Sequence, residues 1–343
     1  MGYRREKEKA EKRGRKIRLV ALLLVAAAVS ALCIVAAFYP PQSWKYRVGL
    51  PDIRARKEGE MRLHFLDVGQ GDCTIAEFPD GRTMIVDGGD GSAEHTTKIM
   101  RYINGLGIER FDFTLLTHPD SDHCGGLDEV LEFTGADTVF LPGIENTAVN
   151  GEYAAFCDRL AGTENVRTVV SRRYLRISSS SDTCPYSLVF LSPYRAENPD
   201  SPYGKIDSGD YTDTDLNDSS AVVWLDYAGT SALLAGDAGS AVEERLLADY
   251  RLGYFDGYGV ALEDTEILKV SHHGSDGGTG EDFVRFLGTE TAVISCGAGN
   301  VYGHPSPLVT ARLAEAGAKV YRTDSDGDVV LSLLPDGTYS VET

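Results

Sequence analysis

Hydrophobic and polar positions divide this chain into two regimes. Residues 19–38 are twenty consecutive uncharged positions, with only Ser30 and Cys33 departing from plainly apolar types. At helical rise twenty residues span about 30 Å, the thickness of a bilayer's hydrocarbon core, so this run predicts one transmembrane helix. From residue 61 onward the apolar runs become short and are bounded by Gly, Pro, Asp and Ser. These predict strands over 62–68, 73–78, 83–86, 111–116, 138–141, 166–170, 174–177, 186–191, 220–226, 231–234, 265–270, 291–295, 319–322, 328–333 and 339–341. Longer amphipathic stretches predict helices over 93–106, after Gly126, and over 153–160, 240–250, 282–287 and 307–316. Residues 192–218 read as a long polar loop, and 251–262 as a Gly- and Tyr-rich connector. Hairpins interspersed with helices, in two successive halves, predict an α/β fold of two mixed sheets packed face to face with helices outside, an αββα sandwich.

Charge sharpens the division. The first 18 residues hold nine Lys or Arg and three Glu, a net +6, which leaves −25 for the remainder of a chain of net −19. A basic tail beside an apolar span places the N-terminus in the cytoplasm, so the acidic body is expected outside the cell membrane. A cleaved signal peptide is the rival reading, but the apolar run is longer than a usual signal core. The expected domains are a basic tail (1–18), the span (19–38), a Pro-containing linker (39–60) and a globular domain (61–343). Six cysteines without any C-x-x-C spacing give no disulfide framework.

The chemistry concentrates after the strand at 111–116, in Thr117-His118-Pro119-Asp120-Ser121-Asp122-His123-Cys124-Gly125-Gly126. Two His and two Asp within six residues need a counter-charge, because unpaired buried carboxylates are costly. The spacing H-x-D-x-D-H lets one loop converge from two sides, which suits two adjacent divalent metals. Cys124 adjoins the motif, but the His and Asp already supply ligands. Three further stretches stand at strand ends: Asn217-Asp218-Ser219-Ser220, Gly236-Asp237 and Ser271-His272-His273-Gly274-Ser275. Five of the seven histidines (His118, His123, His272, His273, His304) lie in or near these loops. His64, within a strand, and His95, near a helix start, read as structural or surface residues.

These motifs, together with Phe65-Leu66-Asp67-Val68-Gly69-Gln70-Gly71-Asp72, Val86-Asp87-Gly88-Gly89 and Asn300-Val301-Tyr302-Gly303-His304-Pro305, resemble the metallo-β-lactamase fold. In particular they resemble the extracellular metallo-β-lactamase-like domain of the ComEC competence (DNA-internalisation) family and its stand-alone relatives. The resemblance covers nearly all of residues 61–343, in the family's order. It implies that His118 and Asp120 hold one metal, that Asp122, His123 and His273 hold a second, and that Asp237 bridges them. Asn217 or Asp218 stands where many members of the fold use a further His. The wider family has H-x-H-x-D-H; here Asp120 replaces the middle His, which hardens the site and makes Mn²⁺ plausible beside Zn²⁺. Asp67, Asp72 and Asp87 are expected to orient ligating His rings or loop amides.

The activity implied is that of a membrane-anchored, extracellular metal-dependent phosphodiesterase or nuclease, with DNA a substrate and a DNA-uptake apparatus a partner. Two metals lower the pKa of a shared water and clamp a phosphate, so that hydroxide attacks phosphorus in line with the leaving oxygen. Asp122, His272 and His304 are the expected catalytic groups, the two His contacting the phosphate or protonating the leaving group. Two alternatives stand beside this. One is an esterase acting on phosphocholine-bearing cell-envelope polymers. The other is a non-catalytic partner of a DNA-uptake channel, against which the retained ligand set argues. The acidic body also argues against simple polyanion binding, which draws on Lys and Arg.

Overall fold

The first sheet places eight strands side by side in the order Tyr339–Glu342, Val329–Leu333, Met61–Phe65, Thr74–Glu77, Thr83–Val86, Phe111–Leu115, Ala136–Leu141 and Arg167–Val170. The second holds seven, in the order Lys319–Arg322, Thr291–Ile294, Ile267–Lys269, Thr230–Leu234, Val222–Tyr227, Tyr186–Ser192 and Arg176–Ser178. This computed structural model describes residues 2–38, 41–194 and 201–343. Residues 39 and 40 of the expected linker and 195–200 of the expected polar loop lie outside the described residues.

Both sheets are mixed, and each becomes parallel where it approaches the metal motifs. Thr83–Val86 pairs parallel with Phe111–Leu115. Thr230–Leu234 likewise pairs parallel with Ile267–Lys269. Parallel neighbours end together, so loops that are far apart in sequence emerge at one edge. Met61, Leu63, Phe65, Leu115, Phe140, Phe190, Val223, Leu225, Ile267 and Leu331 fill one core cluster, drawn from strands of both sheets. A second cluster packs the second sheet against helices, through Val189, Trp224, Leu246, Phe283 and Leu313 among others.

Three features depart from the sequence expectation. The C-terminal hairpin leaves the second half and returns to the first sheet, pairing Met61 with Leu333 and Phe65 with Val329. The region 192–218 contains two short helices, Pro202–Ser208 and Asp213–Asn217. Both are built by local capping: Ser201 accepts from Gly204 N, and Thr212 and Asp215 form a reciprocal capping box. Finally, the chain divides into compact units at Met1–Gly49 and Leu50–Thr343. Of the linker expected over 39–60, residues 50–60 fall in the second unit. Its last part is anchored to the domain by Arg54, which donates to Glu60 at 2.9 and 2.6 Å and to Glu342 at 3.0 Å.

In the N-terminal unit, one helix runs over Gly2–Phe38, so the basic tail and the apolar run share a single helix. Its stretch Tyr3–Ala37 is long and apolar enough to cross a membrane.

Candidate metal centre

The centre is assembled by second-half loops meeting the loop that follows Phe111–Leu115. Thr117 fixes the start of that loop. Its N–H and its hydroxyl each donate to Asp87, at 2.8 Å to Oδ1 and Oδ2 respectively. Asp87 sits in the left-handed region (φ 60°), a conformation disfavoured for non-Gly residues and here held by three bonds to its carboxylate. The chain then turns at Ser121–Cys124, where His123 N and Cys124 N both donate to Asp120 O at 3.0 Å. Gly71 lets the first turn press against this loop: a Cβ there would lie 2.6 Å from Asp122 O. From the other half, Gly236 (φ 54°) delivers Asp237, while His272 (φ 48°) and His273 (φ 54°) are turned inward in the left-handed region.

Around the Asp237 carboxylate four imidazoles converge. His123 Nε2 is 3.2 Å from Oδ1. The Nε2 atoms of His273, His272 and His118 lie 3.5, 3.9 and 4.0 Å from Oδ2. Asp122 Oδ2 is 3.2 Å from His273 Nε2, and Asp120 Oδ2 is 3.4 Å from His118 Nε2. His118, His123, His273 and Asp237 are buried, whereas Asp120 and Asp122 are partly open to solvent.

The other ring nitrogens decide what the centre can bind. His123 Nδ1 lies 2.8 Å from Asp87 Oδ2, His273 Nδ1 3.0 Å from Ser295 O, and His118 Nδ1 3.1 Å from Thr117 Oγ1. Each partner accepts the Nδ1 proton, since the Thr117 hydroxyl already donates to Asp87. The Nε2 lone pairs therefore face inward, toward carboxylate oxygens that are themselves acceptors. His118 Nε2, His123 Nε2, His273 Nε2 and Asp237 Oδ1 are all buried without a hydrogen-bond partner. Acceptors facing acceptors in a buried site need protons or a cation between them. The donor set suits a divalent metal. His118, His123 and Asp237 bring ligand atoms within 4.8 Å of one another, and so do Asp122, His123 and His273.

Burial opposes charging His123, but the Asp237 and Asp87 carboxylates outweigh it and hold its pKa well above the usual value. Burial likewise disfavours ionised Asp122, yet bonding to His273 and the charge of His123 bring it down to about 2. Burial pushes His272 and His304 below the ordinary imidazole value.

Not every expected residue reaches the centre. Asp67 holds the loop amide Gly69 N, accepting from it at 3.3 Å, and pairs with Lys98 at 3.7 Å; it bonds none of the ligating His rings. Asp218 accepts from Gly239 N at 3.2 Å and stands outside the converging ligand groups. Asn217 is buried with its Oδ1 unpartnered. Asp72 lies close by, its Oδ1 3.5 Å from His273 Nδ1. His64 is a core residue held between Tyr102 and Glu77, and His95 pairs with Asp90.

Two participants escaped the sequence reading. Lys269 is buried and its ammonium lies 2.7 Å from Asp72 Oδ2. Gln70 places its Nε2 3.4 Å from His304 Nδ1 and accepts from Gly297 N at 3.2 Å. A lone Lys inside the run Ile267-Leu268-Lys269-Val270 was the available signal for the first. The different surroundings of Asp87 and Asp67 give a direct test. Asp87→Ala is expected to lower metal affinity about 10- to 100-fold, whereas Asp67→Ala leaves it unchanged within error. Isothermal titration of metal-stripped protein with Zn²⁺ or Mn²⁺ reads both.

Comparison with known proteins identifies the family. The profile of the Metallo-beta-lactamase superfamily matches residues 66–298. ComE operon protein 3 of Bacillus subtilis (strain 168) is 28% identical over 287 residues, covering 79% of this chain and 33% of that protein. Competence protein ComA of Neisseria gonorrhoeae is 26% identical over 276 residues, covering 80% and 33% respectively. The chain thus spans about a third of the length of these curated relatives. Among solved structures, the CmlA beta-hydroxylase E377D mutant aligns with a TM-score of 0.47 at 16% identity, over 78% of this chain and 53% of that one. With the profile covering most of the domain, the chain belongs to the metallo-β-lactamase superfamily, as one of its ComEC-like members.

Proposed function

We propose that this domain is a two-metal phosphodiesterase acting on nucleic acid at the outer face of the cell membrane, tethered by its N-terminal helix. The observation that carries the reading is the buried set of inward Nε2 lone pairs on His118, His123 and His273 around the Asp237 carboxylate. In this reading His118 and Asp120 hold one metal, Asp122, His123 and His273 hold the other, and Asp237 contributes to both. When bound, the metals supply Lewis acidity toward a phosphate and an activated water.

The protein's own groups do the rest. Asp87, Ser295 and Thr117 fix the His tautomers and so the direction of each lone pair. Asp122, held ionised, accepts and orients a proton of the attacking water. The Gln70 amide donates to His304 Nδ1, which leaves the proton of a neutral His304 on Nε2. His304 therefore offers a donor to a phosphoryl or leaving-group oxygen, and His272, 5.6 Å away ring to ring, offers a second. The curated relatives named as competence proteins support nucleic acid as substrate and a DNA-uptake apparatus as partner. The nine Lys and Arg that precede the apolar run support the outward orientation of the domain.

The acidic body favours a second reading, an esterase for phosphocholine-bearing polymers, whose choline ammonium groups are cationic. Full-length protein in detergent with Mn²⁺ or Zn²⁺ separates the two. Single- and double-stranded DNA, bis-p-nitrophenyl phosphate and p-nitrophenylphosphorylcholine are assayed beside an Asp122→Ala/His123→Ala variant. DNA and the diester are expected to be cleaved only by the unaltered protein. Cleavage of the choline ester without DNA would overturn the nuclease reading.

A further inference from the structure

Beside the centre, one loop presents aromatic and apolar surface to water. Residues 297–306 expose Val301 (93%) and Tyr302 (68%). These two are among the most exposed large hydrophobics of the described domain, and Tyr302 stands next to His304. Their position is held firmly. Asn300 Nδ2 donates to Gly297 O at 2.9 Å and to His304 O at 2.6 Å. Asn300 Oδ1 accepts from Tyr302 N at 3.2 Å and from His304 N at 3.0 Å. One side chain thus ties both ends of the turn, so the exposure of Tyr302 is built in.

The ring of Tyr302 lies 5.7 Å from that of His304, with 23° between their planes. His304 is in turn 6.4 Å from His273, again at 23°. Tyr302, His304 and His273 form a ladder of near-parallel rings leading from solvent to the metal ligands. Its outermost rung is open.

We propose that Tyr302 is a stacking platform for a nucleobase of a single-stranded substrate, placing the attached phosphodiester against His304 and the metal centre. The inference rests on the phosphodiesterase reading and adds a base subsite to it. Charge argues in the same direction. A body of net −25 offers little phosphate neutralisation along a groove, so away from the metal centre contacts indifferent to charge carry the affinity. Stacking is such a contact, and it reads no sequence because every base has a π-face. A duplex hides its base faces and gains nothing from Tyr302.

The test is equilibrium binding, independent of turnover. Full-length protein in detergent, loaded with Ca²⁺, is titrated into a fluorescein-labelled pentathymidylate and into a five-unit abasic sugar-phosphate of equal charge. The unaltered protein is expected to prefer the base-bearing oligomer by about 10-fold. Tyr302→Ala is expected to reduce that ratio to about one, and Tyr302→Phe to retain it. Because Tyr302 is exposed, the thermal midpoints of both variants should match the parent. Equal affinity for the two oligomers in the unaltered protein, binding of neither, or a preference that survives Tyr302→Ala would each overturn the subsite. If the phosphodiesterase reading alone is wrong, the binding ratio persists while DNA is left uncleaved.

Discussion

Asp237→Asn is expected to reduce phosphodiester hydrolysis by at least about 100-fold, more than the loss from any residue that only orients a ligand. Its carboxylate lies within 4.0 Å of the imidazoles of His118, His123, His272 and His273. It is also the group that faces His123, and its own pKa is held well below the usual value. Burial opposes this, and the charges of His123 and His273 overcome it. The neutral amide keeps the shape of the side chain but removes the charge that draws cations to both sides of the site. Metal content by mass spectrometry after dialysis should fall with activity. Full metal occupancy with normal hydrolysis in Asp237→Asn would show that the carboxylate is a bystander.

Lys269→Met is expected to destabilise the domain by about 3–5 kcal/mol, because it leaves the Asp72 carboxylate buried without its partner. Lys269 is 2% exposed, its ammonium donates to Val270 O at 2.9 Å, and it sits where the strand Ile267–Lys269 runs into the His272-His273 turn. Loss of this ion pair should also loosen His273, since Asp72 lies against its Nδ1 edge. The double variant Lys269→Met/Asp72→Asn removes both charges and should recover much of the lost stability. Urea unfolding of the single and double variants measures the coupling. Equal losses in the single and double variants would place the cost in packing of the lysine stem.

Why the sequence reading succeeded where it did can be traced to local signals. The helix Ala93–Leu106 has the expected bounds because Ser92 caps its start and Gly107, at φ 73°, ends it. The strands Thr83–Val86 and Lys319–Arg322 also run as expected, between turn residues. Ligand candidates were readable because His and Asp crowd the ends of apolar runs, where a folded sheet presents them.

What escaped depended on distance or on small differences of setting. The return of Val329–Leu333 to Met61–Phe65 is a pairing across the whole domain, and no local pattern encodes it. The helices Pro202–Ser208 and Asp213–Asn217 are too short to show a hydrophobic period, although their caps were visible. Asp67 and Asp72 stand in one motif and look equivalent in sequence. One caps the turn at Gly69, and the other faces Lys269 and His273. Only the tertiary fold separates them.

In the proposed function two metals support phosphodiester hydrolysis at the Asp237 centre. The most direct test is the rate of bis-p-nitrophenyl phosphate hydrolysis by metal-stripped, full-length protein as Mn²⁺ is restored in measured equivalents. The rate is expected to rise to a plateau at about two equivalents per chain and to stay at background throughout for Asp122→Ala/His123→Ala. A rate that is independent of added metal, or that is the same in the variant, would contradict it.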